Sequence, residues 1–585
     1  MTRALPEDEL ERAAEAWRLA DPDEATREEL AGILARGDRR ELVERFSRSL
    51  EFGTAGLRGL MGAGPNRMNR AVVIRTSAGL VASLLEELGD AAERGIVVGY
   101  DARRQSRTFA DDAASVFAAA GVRVHWFPDV VPTPLVAFAV RHLRAAAGVV
   151  VTASHNPAEY NGYKVYWSNG AQIVPPRDHA IAHFVAAVPA ANLVPRVSRE
   201  VGIAEGRIRS VPREVEAHYL SGIRELLLAP RVRPELSVVY TPLHGVGFAL
   251  VNRAMKESGF GEMTPVPEQV EPDPGFPTAP FPNPEEKGVL DRAVALARKS
   301  GADLVLANDP DADRLAVAVR NDAGEFVQLS GNQVGVLIGH YLLTADPRRD
   351  ARAVIASIVS SPMLGEIARQ LGVHYEETFT GFKWIANRAM ELTREGKRFV
   401  FGYEEALGYC IGDLVRDKDG VSAAVLFAEI ASVCRQRGSS VFAYLCELYR
   451  RYGLYASRQR SVILPGIDGA ARIDSLMKAL RESPPDGVGA RRVIERRDYA
   501  ARLAVGGDGS QSALRLPQSD VLAYALEGDT RVIVRPSGTE PKIKCYFDHR
   551  EPVAQDEPIA AAEQRASSEL VSVEQALVSM FPLLR

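Results

Sequence analysis

Residues 149–157 are Val-Val-Val-Thr-Ala-Ser-His-Asn-Pro, an apolar run that ends abruptly in a polar loop. The apolar run is typical of a buried strand, and Ser154 lies where it gives way to polar residues. A hydroxyl at the carboxyl end of such a strand is well placed to face a cleft. Serine, asparagine and proline are also ordinary turn residues, so a simple strand-ending turn explains this stretch as well when it is taken alone.

The same junction between an apolar run and a polar loop recurs along the chain. Helical segments alternate with short apolar runs, which is typical of parallel α/β structure. Polar loops follow these runs at residues 101–104, 241–245, 308–314, 402–406 and 535–542. Because ligands bind at the carboxyl ends of strands in open α/β sheets, several such ends with different chemistry predict several sheets that face one cleft.

Length and composition indicate a globular protein with several domains. The chain has 585 residues, of which 46% are apolar and 25% charged, and domains of about 100–200 residues predict three to five of them. The net charge of −5 argues against a nucleic-acid surface. Four scattered cysteines form no disulfide framework, and neither a signal peptide nor an apolar run of about 18 residues is present. We therefore expect a cytoplasmic protein without nucleic-acid or membrane partners.

Changes in periodicity predict where the domains begin and end. Residues 8–50 have helical spacing, whereas prolines and lost periodicity near 185–212 favour a linker. An Asp-Ala-Gly-Glu turn at 322–325 and the segment 449–462 are further candidate boundaries. The predicted units are a helical extension and four domains, at residues 1–45, 46–205, 206–325, 326–455 and 456–585.

Three alternating carboxylates follow the apolar run at 304–307. Asp309, Asp311 and Asp313 point the same way in an extended segment, and such oxygen ligands favour Mg²⁺ or Ca²⁺. An EF-hand is excluded because Arg314 and Arg320 stand where its glycine and glutamate belong. A phosphatase with an aspartyl nucleophile explains only the first two carboxylates, and a solvated acidic turn remains the simplest alternative.

The loop that follows the apolar run at 532–534 has the chemistry of a phosphate site. Arginine binds phosphate bidentately, hydroxyls and glycine amides complete a cradle, and lysine adds a point charge. An ordinary loop capped by serine and threonine is the alternative. The candidate phosphate ligands are Arg535, Ser537, Gly538, Thr539 and Lys542.

Two further stretches are candidates for contact with a sugar. Glu404 and Glu405 supply acceptors for vicinal hydroxyls, although a pair of glutamates is also typical of a solvated face. Gly381 and Lys383, within the segment Thr380–Trp384, give a weaker signal of the same kind.

Together these loops resemble the α-D-phosphohexomutase superfamily, which includes phosphoglucomutases and phosphomannomutases. Four motifs match in order, at Thr152–Pro157, Asp309–Arg314, Gly402–Gly408 and Arg535–Lys542, and the resemblance runs from about residue 45 to about residue 550. It implies four domains around a central cleft, three similar α/β domains with mixed sheets and a C-terminal α+β domain. In chain order the domains would carry the phosphoserine, the metal, the sugar and the phosphate loops.

The resemblance also implies the roles of the reacting groups. Ser154 would carry a transferable phosphoryl group, and an oxygen of the phosphorylated Ser154 would hold Mg²⁺ together with Asp309, Asp311 and Asp313. Covalent transfer of this kind divides one difficult step into two easier ones.

Other positions match residues that surround the phosphoserine in the family. Lys164 matches a general acid/base, Arg58 matches an arginine beside the phosphoserine, and His155 is a further candidate there. Arg314 would support the transferring group. Lys418, in Arg-Asp-Lys-Asp-Gly at residues 416–420, matches another family motif.

The implied reaction moves phosphate through a bisphosphorylated sugar. Glu404 would hold the sugar's O3 and O4, while Arg535, Ser537, Gly538 and Thr539 would clamp the phosphate that does not react. A sugar 1,6-bisphosphate would act as activator, sugar phosphates would be the only partners, and we expect a monomer.

One departure from the family pattern concerns the choice of sugar. Well-known phosphoglucomutases and phosphomannomutases have serine two positions after the first glutamate of the sugar loop, whereas this chain has Ala406. The run Glu-Glu-Ala-Leu-Gly-Tyr at residues 404–409 resembles the branch of the superfamily that includes phosphopentomutases and glucose-1,6-bisphosphate synthases. The sequence predicts a phosphoglucomutase acting between C1 and C6. The alternatives are a phosphomannomutase, a phosphopentomutase acting between C1 and C5, a metal-dependent sugar-phosphate phosphatase, and an inactive binding module.

Overall fold

The computed structural model describes residues 7–51, 56–229, 236–464, 469–537 and 542–584. Three helices come first, and four β-sheets follow one another along the chain with helices packed against them. The predicted four-domain α/β architecture with mixed sheets is therefore confirmed. Within the described residues, no helix is both long and apolar enough to cross a membrane.

The N-terminal region consists of helices α1 (Glu7–Ala20), α2 (Glu24–Arg36) and α3 (Arg39–Phe46). Asp23 caps α2, because its side chain accepts a hydrogen bond from a backbone N–H in the first turn. The apolar sides of the three helices pack on one another through Leu10, Leu30 and Phe46.

The first domain is built on a six-stranded sheet. Its strands are β1 (Leu57–Leu60), β2 (Ile96–Tyr100), β3 (Val124–Trp126), β4 (Ala147–Val151), β5 (Tyr160–Trp167) and β6 (Ile208–Ser210). The order across the sheet is β1-β5-β4-β2-β3-β6, and β5 alone is antiparallel to its neighbours. The helices are α4 (Arg70–Glu87), α5 (Ala91–Arg94), α6 (Ser106–Ala119), α7 (Thr133–His142), α8 (Arg177–Ala187) and α9 (Arg199–Ala204), with a 3₁₀ turn at Ala191–Leu193.

The second domain has five strands, β7 (Val238–Thr241), β8 (Thr264–Pro265), β9 (Leu304–Ala307), β10 (Ala316–Arg320) and β11 (Phe326–Leu329). They lie in the order β11-β10-β9-β7-β8, with β10 antiparallel to both neighbours. Its helices are α10 (Arg213–Leu226), α11 (Phe248–Glu257) and α12 (Asp291–Ser300).

The third domain has four strands, β12 (Arg352–Ser357), β13 (His374–Thr378), β14 (Arg398–Glu404) and β15 (Gly408–Ile411). Their order is β13-β12-β14-β15, and only β15 is antiparallel to its neighbour. The helices are α13 (Gly331–Ala345), α14 (Met363–Gln370), α15 (Phe382–Arg394), α16 (Gly420–Gln436) and α17 (Val441–Tyr452).

The fourth domain is an antiparallel sheet with two long helices. Its strands are β16 (Leu454–Ile463), β17 (Gly487–Val488), β18 (Arg491–Asp498), β19 (Leu503–Gly506), β20 (Gln511–Ala513), β21 (Leu522–Leu526), β22 (Thr530–Pro536) and β23 (Lys542–Glu551). The helices are α18 (Gly469–Glu482) and α19 (Ile559–Met580), followed by a 3₁₀ turn at Pro582–Leu584.

All four candidate loops occupy the same place in their sheets. Each connects a strand to the antiparallel strand beside it: β4 to β5, β9 to β10, β14 to β15, and β22 to β23. In the first three domains, a strand with a parallel neighbour thus delivers the loop at its carboxyl end, where open α/β sheets bind ligands.

One apolar cluster joins the first three domains and also includes the start of β16 and the first turns of α19, whereas most of the fourth domain packs in a core of its own. Val150 of β4, Leu306 of β9 and Phe401 of β14 belong to the same cluster of buried side chains. Val532 and Phe547 belong to the separate core of the fourth domain. The third and fourth domains also meet in a smaller apolar cluster that includes Val359, Phe379, Tyr499 and Tyr546.

Three predicted boundaries differ from the sheet topology. The boundary at 205/206 separates β6 from the first sheet, although β6 pairs with β3. The turn at 322–325 connects β10 to β11 within the second sheet, and the boundary at 455/456 falls inside β16. A hairpin turn and an interdomain turn favour the same residues, so composition alone did not distinguish them.

Candidate active site

The loop after β4 holds Ser154 in an unusual backbone conformation next to the metal loop. Ser154 has φ +52° and a side chain that is only 2% exposed. Its backbone N–H donates to Thr152 Oγ1 at 2.9 Å, which tightens the turn. Its hydroxyl donates to Asp309 Oδ2 at 2.6 Å, so the loops of the first and second domains meet at the predicted nucleophile.

Two charged residues at the end of β2 support this loop, and sequence reasoning assigned them no role. The guanidinium of Arg103 donates to the carbonyl of Ser154 at 2.6 Å and to that of Pro157 at 2.8 Å. Asp101 accepts a hydrogen bond from Thr152 Oγ1 at 2.6 Å. The feature of the sequence that could have identified them is their position directly after an apolar run.

His155 and Arg58 lie beside the serine, as expected. His155 Nδ1 is 3.2 Å from Ser154 Oγ. Burial and the nearby cations Arg314 and Arg58 hold the pKa of His155 well below its ordinary value, so the ring is neutral and its unprotonated nitrogen can accept a hydrogen bond. Arg58 donates to the side chain of Asn156 at 2.9 Å and thereby holds the far side of the loop.

The three aspartates form a buried cluster with unused oxygen atoms. Ligand atoms of Asp309, Asp311 and Asp313 all lie within 4.8 Å of one another, and the residues are at most 1% exposed. Within the described part of the chain, Oδ1 of Asp311 and Oδ1 of Asp313 have no hydrogen-bond partner. Burial and the two neighbouring carboxylates raise the pKa of Asp309 well above its ordinary value. A hard divalent cation fits this donor set.

Two lysines neutralise part of this negative charge. Lys164 Nζ donates to Asp311 Oδ2 at 2.7 Å and to Asp313 Oδ2 at 2.8 Å, while Lys418 Nζ lies 3.2 Å from Asp313 Oδ2. Although burial opposes the shift, the carboxylates raise the pKa of Lys164. Lys164 is therefore protonated at neutral pH and able to act as an acid.

Close contacts fix the metal loop from both sides. Thr133, at the start of α7, donates from Oγ1 to Asp311 Oδ2 at 2.7 Å, a contact that the sequence did not reveal. A Cβ at Gly245 would collide with the backbone of Pro310, so glycine is needed there. Arg314 Nη1 is 3.6 Å from Glu285 Oε2, which ties the metal loop to the connection between β8 and α12 in the second domain.

The sugar loop presents one of its two glutamates to the third domain's own backbone. Glu404 Oε1 accepts a hydrogen bond from the N–H of Gly381 at 2.6 Å, so these two predicted residues are brought together. Glu405 Oε2 instead accepts from Ser357 at 3.1 Å and from Ser360 at 3.4 Å. One oxygen of Glu405 is thus engaged within the third domain rather than turned entirely to a ligand.

Lys383 lies differently from the other predicted sugar contacts. It is 7% exposed, and its ammonium sits over the ring of Trp384 at 5.5 Å. Burial lowers its pKa, and the carboxylate that offsets this belongs to Asp178 on α8. The structure places Lys383 against this helix of the first domain and shows no contact with Glu404.

The phosphate loop is described only at its two ends. Arg535, at the end of β22, donates to Thr380 Oγ1 of the third domain. The N–H of Ser537 donates to the carbonyl of Lys542 at 2.7 Å, whereas Gly538 and Thr539 lie outside the described residues. Opposite Arg535 on β23 is Lys544, whose pKa is lowered by burial and by Arg535. Sequence reasoning missed this additional cation.

Arg531 connects the fourth domain to the third, and sequence reasoning missed it as well. Its guanidinium donates to Asp548 Oδ2 at 2.7 Å and to the carbonyl of Ser360 at 2.7 Å. Glu377 Oε1 accepts a third hydrogen bond at 3.2 Å. Since Ser360 also contacts Glu405, the position of the fourth domain is tied to the sugar loop.

Comparison with known proteins gives the same four-part organisation. The phosphoglucomutase/phosphomannomutase family matches as α/β/α domain I at residues 49–191, domain II at 217–324, domain III at 330–452 and the C-terminal domain at 491–566. These matches cover most of the chain. The fold and the site define an intramolecular phosphotransferase that acts on phosphosugars.

Relatives that match most of the chain include two kinds of mutase and a sugar-bisphosphate synthase. The chain is 38% identical to the phosphopentomutase of Homo sapiens, over 94% of this chain and 93% of that protein. It is 40% identical to a probable phosphomannomutase of Haemophilus influenzae, over 83% and 93%, and 35% identical to the human glucose 1,6-bisphosphate synthase, over 92% and 90%. The chain belongs to the phosphoglucomutase/phosphomannomutase family, as the motifs predicted.

Proposed function

We propose that this enzyme is a mutase that prefers pentose phosphates, moving a phosphoryl group between C1 and C5, and that also converts hexose phosphates between C1 and C6. The observation that carries this choice is Ala406, which follows Glu404 at the position where hexose mutases of the family have serine. The phosphopentomutase relative supports the same choice. This differs in emphasis from the phosphoglucomutase that the sequence alone favoured.

The physical argument concerns which sugars a hydrogen-bonding site excludes. A site built to hydrogen-bond a hydroxyl discriminates strongly against a sugar that lacks it, because buried polar groups are then left unpaired. Alanine removes one such contact. Glu404 keeps an acceptor for the adjacent hydroxyls, so sugars of both sizes retain their principal contact.

The proposed chemistry uses Ser154 as the phosphoryl carrier. The bond from phosphorus to Ser154 Oγ breaks as a bond to a sugar hydroxyl forms, which gives a bisphosphorylated sugar. Lys164, held protonated by its two aspartates, supplies a proton to the departing serine oxygen, and its amine takes up the proton that the sugar hydroxyl loses, so that no proton is gained or lost overall. The bisphosphate then turns within the cleft, and its other phosphoryl group returns to Ser154. A sugar bisphosphate is therefore also the expected activator.

Mg²⁺ is the proposed metal. Asp309, Asp311, Asp313 and a phosphate oxygen on Ser154 would hold it, and the unpartnered Oδ1 atoms of two of these aspartates support that assignment. When bound, the cation neutralises charge on the transferred phosphoryl group.

A panel of substrates tests the proposal. Ribose 5-phosphate, deoxyribose 1-phosphate, glucose 1-phosphate and mannose 1-phosphate are followed by phosphorus NMR, with inorganic phosphate measured in parallel. We expect the highest kcat/KM for a pentose phosphate and constant inorganic phosphate. A higher value for glucose 1-phosphate would restore the hexose assignment, and steady release of inorganic phosphate would identify a phosphatase instead.

The bisphosphate synthase relative provides a second candidate function. A synthase accumulates sugar bisphosphate from a separate phosphoryl donor, whereas a mutase keeps the bisphosphate at catalytic levels. Phosphorus NMR distinguishes the two, because net growth of the bisphosphate signal with an added donor would favour the synthase.

A further inference from the structure

A second cleft, separate from the reacting groups, lies between the first and third domains. It has a volume of about 540 Å³, within the range of small-molecule sites. Four arginines dominate its lining, together with one carboxylate and two neutral polar residues. The lining residues are Asp90, Arg94, Arg141, Arg144, Ser168, Asn169 and Arg416.

Positive charge exceeds negative charge in this cleft, although the whole chain carries a net charge of −5. Within the described residues, only two carboxylates pair with the four arginines. Asp90 pairs with Arg94 at 3.3 Å, and Asp413 pairs with both Arg141 and Arg416 at 2.7 Å. The four arginines therefore carry two more positive charges than these two carboxylates neutralise, and Arg144 alone among the four has no partner carboxylate within the described residues.

Arg144 is the cation most available to a ligand. Its backbone has φ +54°, and its carbonyl accepts a hydrogen bond from Arg94 Nε at 2.9 Å, which fixes the residue at the edge of the cleft. The guanidinium is exposed, and no described group forms a hydrogen bond or an ion pair with it. Asn169 adds a donor, because its side-chain oxygen is already used by the N–H of Ala171 and its amide N–H₂ remains available.

We propose that this cleft binds the phosphate group of a phosphorylated small molecule. Guanidinium groups match phosphate oxygens in a bidentate geometry, and the neutral donors suit the remaining oxygens. The ligand would be a phosphomonoester, whether an excess sugar phosphate or another metabolite with the same group, bound outside the catalytic cleft.

Arg141 of this cleft also holds the loop that carries Lys418, and Arg416 is part of that loop. Residues 412–419 connect β15 to α16, and Asp413 in this loop accepts hydrogen bonds from Arg141 at 2.7 Å and Arg416 at 2.7 Å. A phosphate group competes with Asp413 for the same two guanidinium groups. Binding of the ligand therefore weakens the contacts that fix this end of the loop.

The other end of the loop reaches the metal site. Asp417 is 1% exposed and accepts hydrogen bonds from Tyr166 at 2.7 Å and Gln172 at 2.6 Å. The next residue, Lys418, lies 3.2 Å from Asp313. Loosening the loop at Asp413 displaces Lys418, so occupation of the cleft lowers turnover without competing with the sugar phosphate.

Crystals soaked in tungstate, a heavy analogue of phosphate, test the site directly and without reference to activity. We expect an anomalous peak between Arg94, Arg144 and Arg416 in addition to one near Arg535. A peak only near Arg535, or none at all, would overturn the binding site whatever sugar the enzyme prefers.

Inhibition by inorganic phosphate at saturating sugar phosphate tests the link to turnover, since competition within the active site is then suppressed. We expect wild-type enzyme to retain a non-competitive component. Arg144→Gln should require severalfold more phosphate for half-inhibition relative to its own uninhibited rate, and Arg144→Lys should be intermediate because it keeps the charge. Arg107→Gln, an exposed arginine on α6, is the matched control.

Asp413→Asn separates binding of the anion from its effect on turnover. Removing this carboxylate leaves Arg141 and Arg416 to the anion, so the tungstate peak should be stronger, whereas turnover without phosphate should already be low and added phosphate should lower it little further. Equal phosphate dependence in wild type, Arg144→Gln and Asp413→Asn would contradict the proposed link between the cleft and Lys418.

Discussion

The serine and metal loops differ from the loops of the fourth domain in burial and in the partners of their charged groups. Ser154 and Lys164 are each 2% exposed and Asp311 is fully buried, and their polar atoms are hydrogen-bonded to one another across the first two domains. Arg535 and Lys542 are half-buried on a hairpin of the fourth domain. The groups proposed for chemistry are thus positioned together, whereas the groups proposed to clamp phosphate are positioned by a separate domain.

This difference has an energetic consequence. Interactions in a buried, water-excluded site are stronger than those at a surface, so the serine and metal loops should contribute chiefly to the rate of transfer. Most of the fourth domain packs in its own core, and it contacts the third through Arg531, a small apolar cluster and the first turns of α19. Its loop should contribute chiefly to substrate affinity, and the predictions below separate the two contributions.

The largest effect should follow from removing the nucleophile. Ser154→Ala should lower kcat by a factor on the order of 10⁴ or more, as removal of a catalytic nucleophile does elsewhere. Wild-type enzyme should carry about 80 Da of added phosphate on the peptide that contains Ser154, measured by mass spectrometry. Thr152→Ser, which keeps the hydroxyl that accepts from Ser154 N–H, is the control, and comparable turnover in Ser154→Ala would remove the serine from the mechanism.

Metal removal should have the next largest effect. EDTA should abolish turnover and Mg²⁺ should restore it, because three buried carboxylates need a hard cation. Asp311→Asn should raise the Mg²⁺ concentration for half-maximal activity by about tenfold or more. Asp322→Asn, in the exposed turn between β10 and β11, should leave it unchanged. Full activity of the metal-depleted enzyme would exclude a metal role for the aspartates.

The phosphate loop should respond in KM rather than in kcat. Arg535→Ala removes charge-assisted hydrogen bonds to a phosphate that is bound in ground and transition states alike, so KM should rise by about ten- to hundredfold with a smaller change in kcat. Steady-state kinetics on two sugar phosphates measure the split. Arg515→Ala, an exposed arginine of the same domain, is the control. A fall in kcat with unchanged KM would show that the phosphate loop contributes to the rate of transfer in the same way as the serine and metal loops.

The parts of the site that sequence predicted are those whose chemistry lies in one short segment. The aspartate cluster and the serine loop each combine distinctive residue types within a few positions, directly after an apolar run. Thr133 and Arg531 were missed because their partners are 178 and 171 residues away, and neither residue type is distinctive alone. The fold class was also predictable from local sequence, because apolar runs alternate with helical segments along the chain.

Two placements made from sequence differ from the structure for another reason. Lys383 was grouped with the sugar contacts because it lies two residues after Gly381, whereas the structure shows it at the start of α15 with its ammonium over the ring of Trp384 and within the field of Asp178. Side chains of residues that are close in sequence point in different directions at the start of a helix, because each residue is rotated about the helix axis relative to the one before it. The turn at 322–325 was taken for a boundary because hairpin turns and linkers use the same residues.

The pH dependence of substrate affinity should report the sugar loop. Burial and the neighbouring Glu405 raise the pKa of Glu404 to about 7. Protonation weakens its carboxylate as an acceptor, so KM should rise by up to about tenfold between pH 8 and pH 6. Glu404→Gln cannot titrate and should lose this component, while titration of the substrate phosphate affects both enzymes equally. The same pH profile in both would remove Glu404 from substrate binding.

The smallest effect should come from Ala406→Ser, which adds one hydroxyl to the half-buried sugar loop. One net hydrogen bond contributes about 0.5–1.5 kcal/mol, so the ratio of hexose to pentose kcat/KM should rise by up to about tenfold. Phosphorylation of Ser154 should not change, because that residue lies in another domain and has separate contacts. Ala406→Gly is the control for altered backbone, and it should not favour hexose. An unchanged ratio across the whole panel would mean that position 406 has no part in the choice of sugar. The preference would then have to come from the segment around Gly381, whose N–H is the contact that orients Glu404.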